Sequence, residues 1–316
     1  MEAHDHEDGP SETPQKDTDT LPAALRGYEV IDAHAHVFPP RVFEAVWRWF
    51  DRYGWEIRYR LQARETVAFL RARGLSHVVG LHYAHVPGMA AGLNRFVCEL
   101  AREAPGLIAC ATVLPGEPGA RAILDEALGP LGLRGVKIHC HVQRLAPDDP
   151  RLDDVYAAAA AHGVPVVIHA GNAPNSPHYG CDVEALCTPD ATLRALSRHP
   201  RTQVIVPHLG VEHVTEYTAL LDTHPNLFLD TTMTLGGFLP TGTFREVARA
   251  FPAELAARGR ELILRFPDRM LYGSDFPNIP YAWDRELAAI AAWSLPEEIA
   301  RAFLAGNARR LFGIAD

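Results

Sequence analysis

Short apolar runs rich in Val, Ile and Leu alternate with Ala-, Leu- and Arg-rich stretches along almost the whole of this 316-residue chain. The runs Tyr28–Ala33, His77–Leu81, Leu107–Val113, Leu133–Ile138, Val164–Ile168, Gln203–Val206, Leu227–Leu229 and Arg269–Tyr272 read as buried strands. Between them Arg41–Arg52, Gly88–Arg102, Ala120–Ala127, Asp153–His162, Pro189–Ser197, Val214–Leu221, Phe244–Arg258 and Trp283–Trp293 carry helical periodicity. Strands apolar on both faces are covered on both sides, as in parallel sheets whose crossover helices lie against the sheet. Eight strands alternating with eight helices over roughly 290 residues is the count of a closed (β/α)8 barrel; an open doubly wound sheet usually has fewer strands. The predicted fold class is therefore α/β, a (β/α)8 barrel. It is expected to occupy residues 25–316 as one domain, since no repeat or second composition regime interrupts it.

The composition removes other classes. At 47% hydrophobic and 22% charged residues the chain is neither fibrous nor disordered, and it is long enough to bury a sizeable core. Its 39 acidic against 30 basic residues, a net charge of -9, speak against a nucleic-acid partner, which needs a basic footprint. Residues 1–24 are polar, acidic and nearly free of large apolar side chains, and read as a disordered tail with no secretory signal. No uncharged apolar run reaches the roughly 18 residues of a membrane span, so no membrane partner is expected. Five cysteines without a C-x-x-C pair fit reduced thiols, and a cytoplasmic location is expected.

In a barrel, chemistry sits where strands end at their carboxyl side. Sixteen histidines are about twice the ordinary usage for this length, and their placement carries the argument. The first strand ends Asp32-Ala33-His34-Ala35-His36, and simple alternation points Asp32, His34 and His36 to one side. The fifth strand ends in His169, the sixth in His208 and the eighth in Asp275. A lone histidine after an apolar run is more often an ordinary rim residue. Four histidines and a carboxylate at equivalent strand ends of one barrel are better read as a reaction centre.

The H-x-H of His34 and His36, the I-H-A-G at His169, the P-H-L-G at His208 and the G-S-D-F-P at Asp275 together resemble the amidohydrolase superfamily. More closely, the set is similar to its amidohydrolase-related branch, which includes aminocarboxymuconate semialdehyde decarboxylase. The resemblance extends from Tyr28 to the end of the chain. It implies a distorted (β/α)8 barrel with one divalent ion, zinc first and manganese as alternative, held by His34, His36, His169 and Asp275. It further implies His208 and Asp275 as catalytic acid/base groups. The donor chemistry agrees, because catalytic zinc takes imidazoles and carboxylates and keeps one position open, and such an ion brings the pKa of water to about 7.

The fourth strand adds Lys137, His139 and His141, which alternation again places on one side. They are candidates for a second ion or for substrate contacts, since two-metal members of the superfamily use a carboxylated lysine on the comparable strand. Weaker substrate-binding candidates are Tyr83 and His85 after the second strand, Asn172 after His169, and Asn278 after Asp275; each also reads as a turn or rim residue. The aromatic and Arg-rich connection Phe38–Ser76 contributes mostly packing, with a minority of side chains available as a pocket wall. His178 and Tyr179 lie where a lid contact would fall, and Thr231–Thr243 reads as a lid or a plain connection. The expected function is a metal-dependent hydrolase cleaving an amide, ester or lactone bond of a small molecule. The alternative is a non-oxidative decarboxylase of a small unsaturated or aromatic acid. A homodimer is the expected assembly if the chain self-associates.

Overall fold

The computed structural model describes residues 19–172, 177–236 and 252–315. Strands β1 (Ile31–His36), β2 (His77–Leu81) and β3 (Leu107–Ala109) pair in parallel. Strands β4 (Ala111–Thr112), β5 (Val136–His139), β6 (Val166–His169), β7 (Val204–Val206), β8 (Leu227–Asp230) and β9 (Met270–Leu271) continue in sequence order, also in parallel. The expected third strand is thus one course interrupted at Cys110, pairing with β2 below the break and β5 above it. The ring closes between first and last strands: Ala33 N donates to Tyr272 O at 3.0 Å, Asp275 N to His34 O at 2.9 Å and His36 N to Phe276 O at 2.7 Å. The architecture is the expected (β/α)8 barrel, and its distortion lies at these two places.

Local sequence explains the helices. The helix Pro189–Arg198 begins at Thr188, whose hydroxyl accepts from Ala191 N at 3.2 Å, with proline in the first turn and Asp190 beside it. Asp153 and Asp154 open the helix Asp153–His162, which stops at Gly163 with φ +66°, a conformation that costs glycine little. The barrel interior holds Ile31, Ala33, Val79, Leu81, Cys110, Val167, Ile205, Phe228 and Leu271, closed from below by Ala308, Leu311 and Phe312 of the C-terminal helix Asn307–Phe312. A second apolar layer lies between the sheet and the surrounding helices. The filled lower barrel leaves the carboxyl ends of the strands as the place where polar groups converge.

The strand-one alternation is corrected by the register. Asp32 pairs with Val78, and His36 with Leu81, so β1 spends one residue more than β2 between Asp32 and Ala35. Val78 packs in the helix-side layer and Leu81 in the interior. Asp32 therefore faces away from the axis while His36 faces it, because a bulge shifts the parity of every later side chain. Asp32 instead accepts from Ser274 N at 3.1 Å and His34 N at 3.0 Å, tying β1 to the segment after β9.

Residues 1–18 of the expected tail, and the stretch of the Thr231–Thr243 connection from Gly237 onward, lie outside the described residues. Asp19 and Leu21 of that tail pack on the barrel. Asp19 accepts from Trp283 N at 3.3 Å, its carbonyl accepts from Arg73 Nε at 2.7 Å, and its carboxylate also meets the Tyr59 hydroxyl. No helix of the described residues is long and apolar enough to cross a membrane.

Candidate metal centre

At the carboxyl end of the barrel six rings form a closed circuit. His34 lies 5.4 Å from His36 and 5.8 Å from His208; His208 is 4.9 Å from His169 and His169 is 4.3 Å from His139; Tyr83 completes it at 4.9 Å from His139 and 6.0 Å from His36. Asp275 faces two members, with Oδ1 at 3.0 Å from His36 Nε2 and 3.4 Å from His34 Nε2. Ligand atoms of His34, His36 and Asp275 all lie within 4.8 Å of one another, the one grouping of this kind among the described residues. His169 stands across the circuit, outside that group.

The donor set fits a divalent cation. His34 Nδ1 lies 2.7 Å from Asp230 Oδ2, so its proton is committed there and Nε2 presents a lone pair to Asp275. A lone pair and a carboxylate oxygen turned toward each other call for a cation or a proton between them. The buried Nδ1 atoms of His36, His139 and His141 and the Oδ1 atoms of Asn172 and Asn278 have no protein partner. Such atoms each cost about 1–3 kcal/mol when left unpaired, and their concentration at one end of a barrel is what a ligand site requires.

Electrostatics favour the neutral form of three of these imidazoles. Burial, helped by the Lys137 charge, lowers the His34 pKa to about 4, and burial with neighbouring histidines holds His139 and His169 well below the usual value. All three are neutral at pH 7, the form that coordinates a metal. Burial opposes ionisation of Asp275, but the hydrogen bond and charges of His36 and His34 prevail and hold it well below the carboxylate range. Burial likewise opposes ionisation of Asp230, and His34, with His208 and Thr232, brings it down to about 2. Lys137, fully buried with Nζ 3.5 Å from His34 Nε2, is lowered to about 8 by burial.

Backbone strain marks the same place. His208, Leu209 and Val211 have φ of +59°, +55° and +53°, around Gly210 at +76°, and Asp275 has φ +63°. Non-glycine residues in this region cost of order 1–3 kcal/mol each and gather at functional sites. Gly210 admits nothing larger, since a Cβ there would meet the Tyr217 ring at 2.0 Å.

The other sequence candidates divide. Lys137 and His139 sit inside, but β5 ends at His139, so His141 enters from the helical turn Cys140–Gln143 and not by strand alternation. Its Nε2 donates to Gly171 O at 2.8 Å, and its ring is 4.8 Å from His169. Tyr83 belongs to the circuit. His85 is exposed in the following loop. Asn172 lies at the rim with Nδ2 3.1 Å from His213 Nε2. Asn278 forms the turn after Asp275, and its carbonyl accepts from Trp55 Nε1 at 2.8 Å. Of the Phe38–Ser76 connection, Trp47, Trp55 and Tyr59 are buried as packing, while Trp49 meets Tyr179 at 4.9 Å and Tyr53 stacks on His178 at 3.7 Å. Tyr179 in turn contacts His141 at 5.0 Å, so this pair of contacts ties the first connection to the loop after β6.

Asp230 is the site residue that sequence reasoning passed over. Its signal was present: the apolar run at Leu227 ends in a carboxylate, and Phe228 on the same face lies in the barrel interior.

The amidohydrolase family matches residues 31–314. No curated protein matches the chain. Among solved structures, an uncharacterised TIM-barrel protein from Bordetella bronchiseptica superposes with a TM-score of 0.64 at 21% identity, covering 90% of this chain and 98% of that one. The 5-carboxyvanillate decarboxylase of Novosphingobium aromaticivorans, complexed with manganese and 4-hydroxy-3-methoxy-5-nitrobenzoic acid, gives 0.60 at 18% identity, covering 94% and 99%. The 4-oxalomesaconate hydratase of Rhodopseudomonas palustris gives 0.58 at 16%, covering 90% and 95%. At these identities the structures share the barrel alone; the family rests on the match along nearly the whole sequence. The chain belongs to the amidohydrolase family, in its amidohydrolase-related branch.

Proposed function

We propose that the chain is a metal-dependent hydrolase acting on an amide, ester or lactone of a small, flat molecule. The observation that carries this reading is the convergence of His34, His36 and Asp275 within 4.8 Å, with His34 neutral and the Asp275 carboxylate ionised. These three residues would hold one divalent ion, and His169 would join them from across the circuit. The N/O donors suit zinc or manganese, and manganese is the metal in the Novosphingobium decarboxylase complex. When bound, the ion supplies Lewis acidity and makes water a competent nucleophile near neutral pH.

The residues of the chain do the rest. His208 Nδ1 is 3.0 Å from Thr232 O, which can only accept, so Nδ1 carries the proton and Nε2 is turned to the site for proton exchange with substrate. Lys137 provides a buried positive charge for a carboxylate or a developing oxyanion. Tyr83 and His139 present aromatic walls that pack against a planar substrate.

A second reading, non-oxidative decarboxylation, is favoured by those walls and by the likeness to decarboxylases of aromatic acids such as 2,6-dihydroxybenzoate. Arginines of the Phe38–Ser76 connection could supply a cation for the carboxylate, but three of them are engaged elsewhere: Arg58 pairs with Asp19, Arg60 with Asp51 and Arg64 with Glu103. Lys137 takes that role. A panel of lactones, esters, amides and aromatic or unsaturated acids, followed by proton release and CO2 evolution, separates the two readings; CO2 without hydrolysis overturns the first. Metal analysis of His34→Ala and Asp275→Ala should show lost metal and lost turnover. Full activity in metal-free variants would end both readings.

A further inference from the structure

We infer that Asp230 is a positioning residue that sets the tautomers of two histidines at once, turning Nε2 of both His34 and His208 into the site. The inference rests on the metal-centre reading above and deepens it. Asp230 is 1% exposed, and its two oxygens have different duties. Oδ2 accepts from His34 Nδ1 at 2.7 Å. Oδ1 accepts from His208 N at 3.1 Å, Thr232 N at 3.1 Å and the Thr232 hydroxyl. Because that hydroxyl spends its proton on Asp230, its oxygen is an acceptor toward His208 Nδ1, 2.8 Å away, as is Thr232 O. Every partner of the carboxylate is a donor, and the relay runs in one direction from both imidazoles into Asp230.

Neither histidine is then free to choose which nitrogen carries its proton. His34 must hold it on Nδ1, which leaves Nε2 as a lone pair beside Asp275 Oδ1. His208 must hold it on Nδ1, and its backbone is fixed by the same oxygen in a left-handed conformation that nothing in its own sequence favours. A carboxylate on a metal-binding imidazole is a recurring way of orienting the ring, and its loss typically costs 10–100-fold in affinity. Here the same carboxylate also orients the proton-handling histidine.

The isosteric variant discriminates this role from simple packing. In Asp230→Asn, three donors keep the amide oxygen at the Oδ1 position, so the NH2 group faces His34 Nδ1. Two donors cannot face each other, and the His34 proton moves to Nε2, where Asp275 accepts it and the metal position is blocked. The full-length chain, stripped of metal, is examined by two-bond 1H–15N spectra with His34 and His208 assigned, then titrated with Mn2+. In the wild type both Nδ1 atoms should be protonated. In Asp230→Asn the His34 proton should appear on Nε2 and Mn2+ should bind roughly 10–100-fold more weakly, at least as weakly as in Asp230→Ala. A packing role predicts the opposite order, with Asn near wild type and Ala worst. That order, or a wild-type His34 protonated on Nε2, overturns the inference. The wild-type spectrum decides it even if a variant does not fold. A wild type that binds no metal while showing both Nδ1 protons would overturn the metal-centre reading and leave the Asp230 relay standing.

Discussion

His139 and His169 are register partners on adjacent parallel strands, and their rings stack 4.3 Å apart at 8°. In-register residues of neighbouring strands face the same side, so the terminal histidines of β5 and β6 build a continuous wall inside the mouth. Truncation of its His139 half, which is not a proposed ligand, should weaken substrate packing without removing a metal donor. His139→Ala is expected to raise KM by up to about tenfold, the worth of one ring contact, with metal content unchanged. Loss of one of two ions per chain in this variant would instead make His139 a ligand.

His208 is held by its backbone and its Nδ1, which leaves Nε2 for the proposed proton transfer. His208→Gln keeps a polar side chain of similar reach but cannot shuttle a proton. Turnover should fall by about 100- to 10,000-fold while metal content and thermal midpoint stay near wild type. A variant with nearly full kcat would remove His208 from proton transfer.

Gly273 gives a third prediction. A Cβ there would meet His34 Cβ at 2.8 Å and Thr232 Cγ2 at 2.8 Å. Both are fixed parts of the Asp230 relay and neither is the flexible end of a side chain. Gly273→Ala should therefore cost about 1–3 kcal/mol of stability and weaken metal binding although no ligand is removed. Measured metal affinity equal to wild type would show that the relay tolerates displacement.

Glu286 provides a pH signature away from the metal. Buried on the helix Arg285–Ala292, it accepts from Leu235 N at 2.9 Å, Gly236 N at 3.0 Å and the Tyr281 hydroxyl at 3.1 Å, and burial raises its pKa from 4.5 to about 7. The folded chain thus retains a proton that the unfolded chain releases between pH 4.5 and 7. Its contribution is fully present below that window and is lost as pH rises through it, by up to about 1.4 kcal/mol per pH unit. Denaturant titrations of Glu286→Gln should show a flatter stability profile across the window than wild type. Parallel profiles would mean that Glu286 ionises alike in both states.

The sequence by itself determined the barrel, because eight doubly buried strands with intervening helices have few other ways to cover both faces. It also determined which side chains gather at one rim: His34, His36, His169, His208 and Asp275 are legible there, since the strand ends of a parallel barrel share one rim. Only tertiary structure decided how these residues meet. The bulge between Asp32 and Ala35 turns Asp32 outward against simple alternation, and no local propensity in Ile31–His36 announces it. The end of β5 at His139 makes His141 a helical contact, and His169 stands apart from the group that His34, His36 and Asp275 form. Asp230 acquires its role from His34, a partner 196 residues away. Period and composition report the neighbours along the chain, whereas a carboxylate's hydrogen-bond partners are set by which strands close the ring.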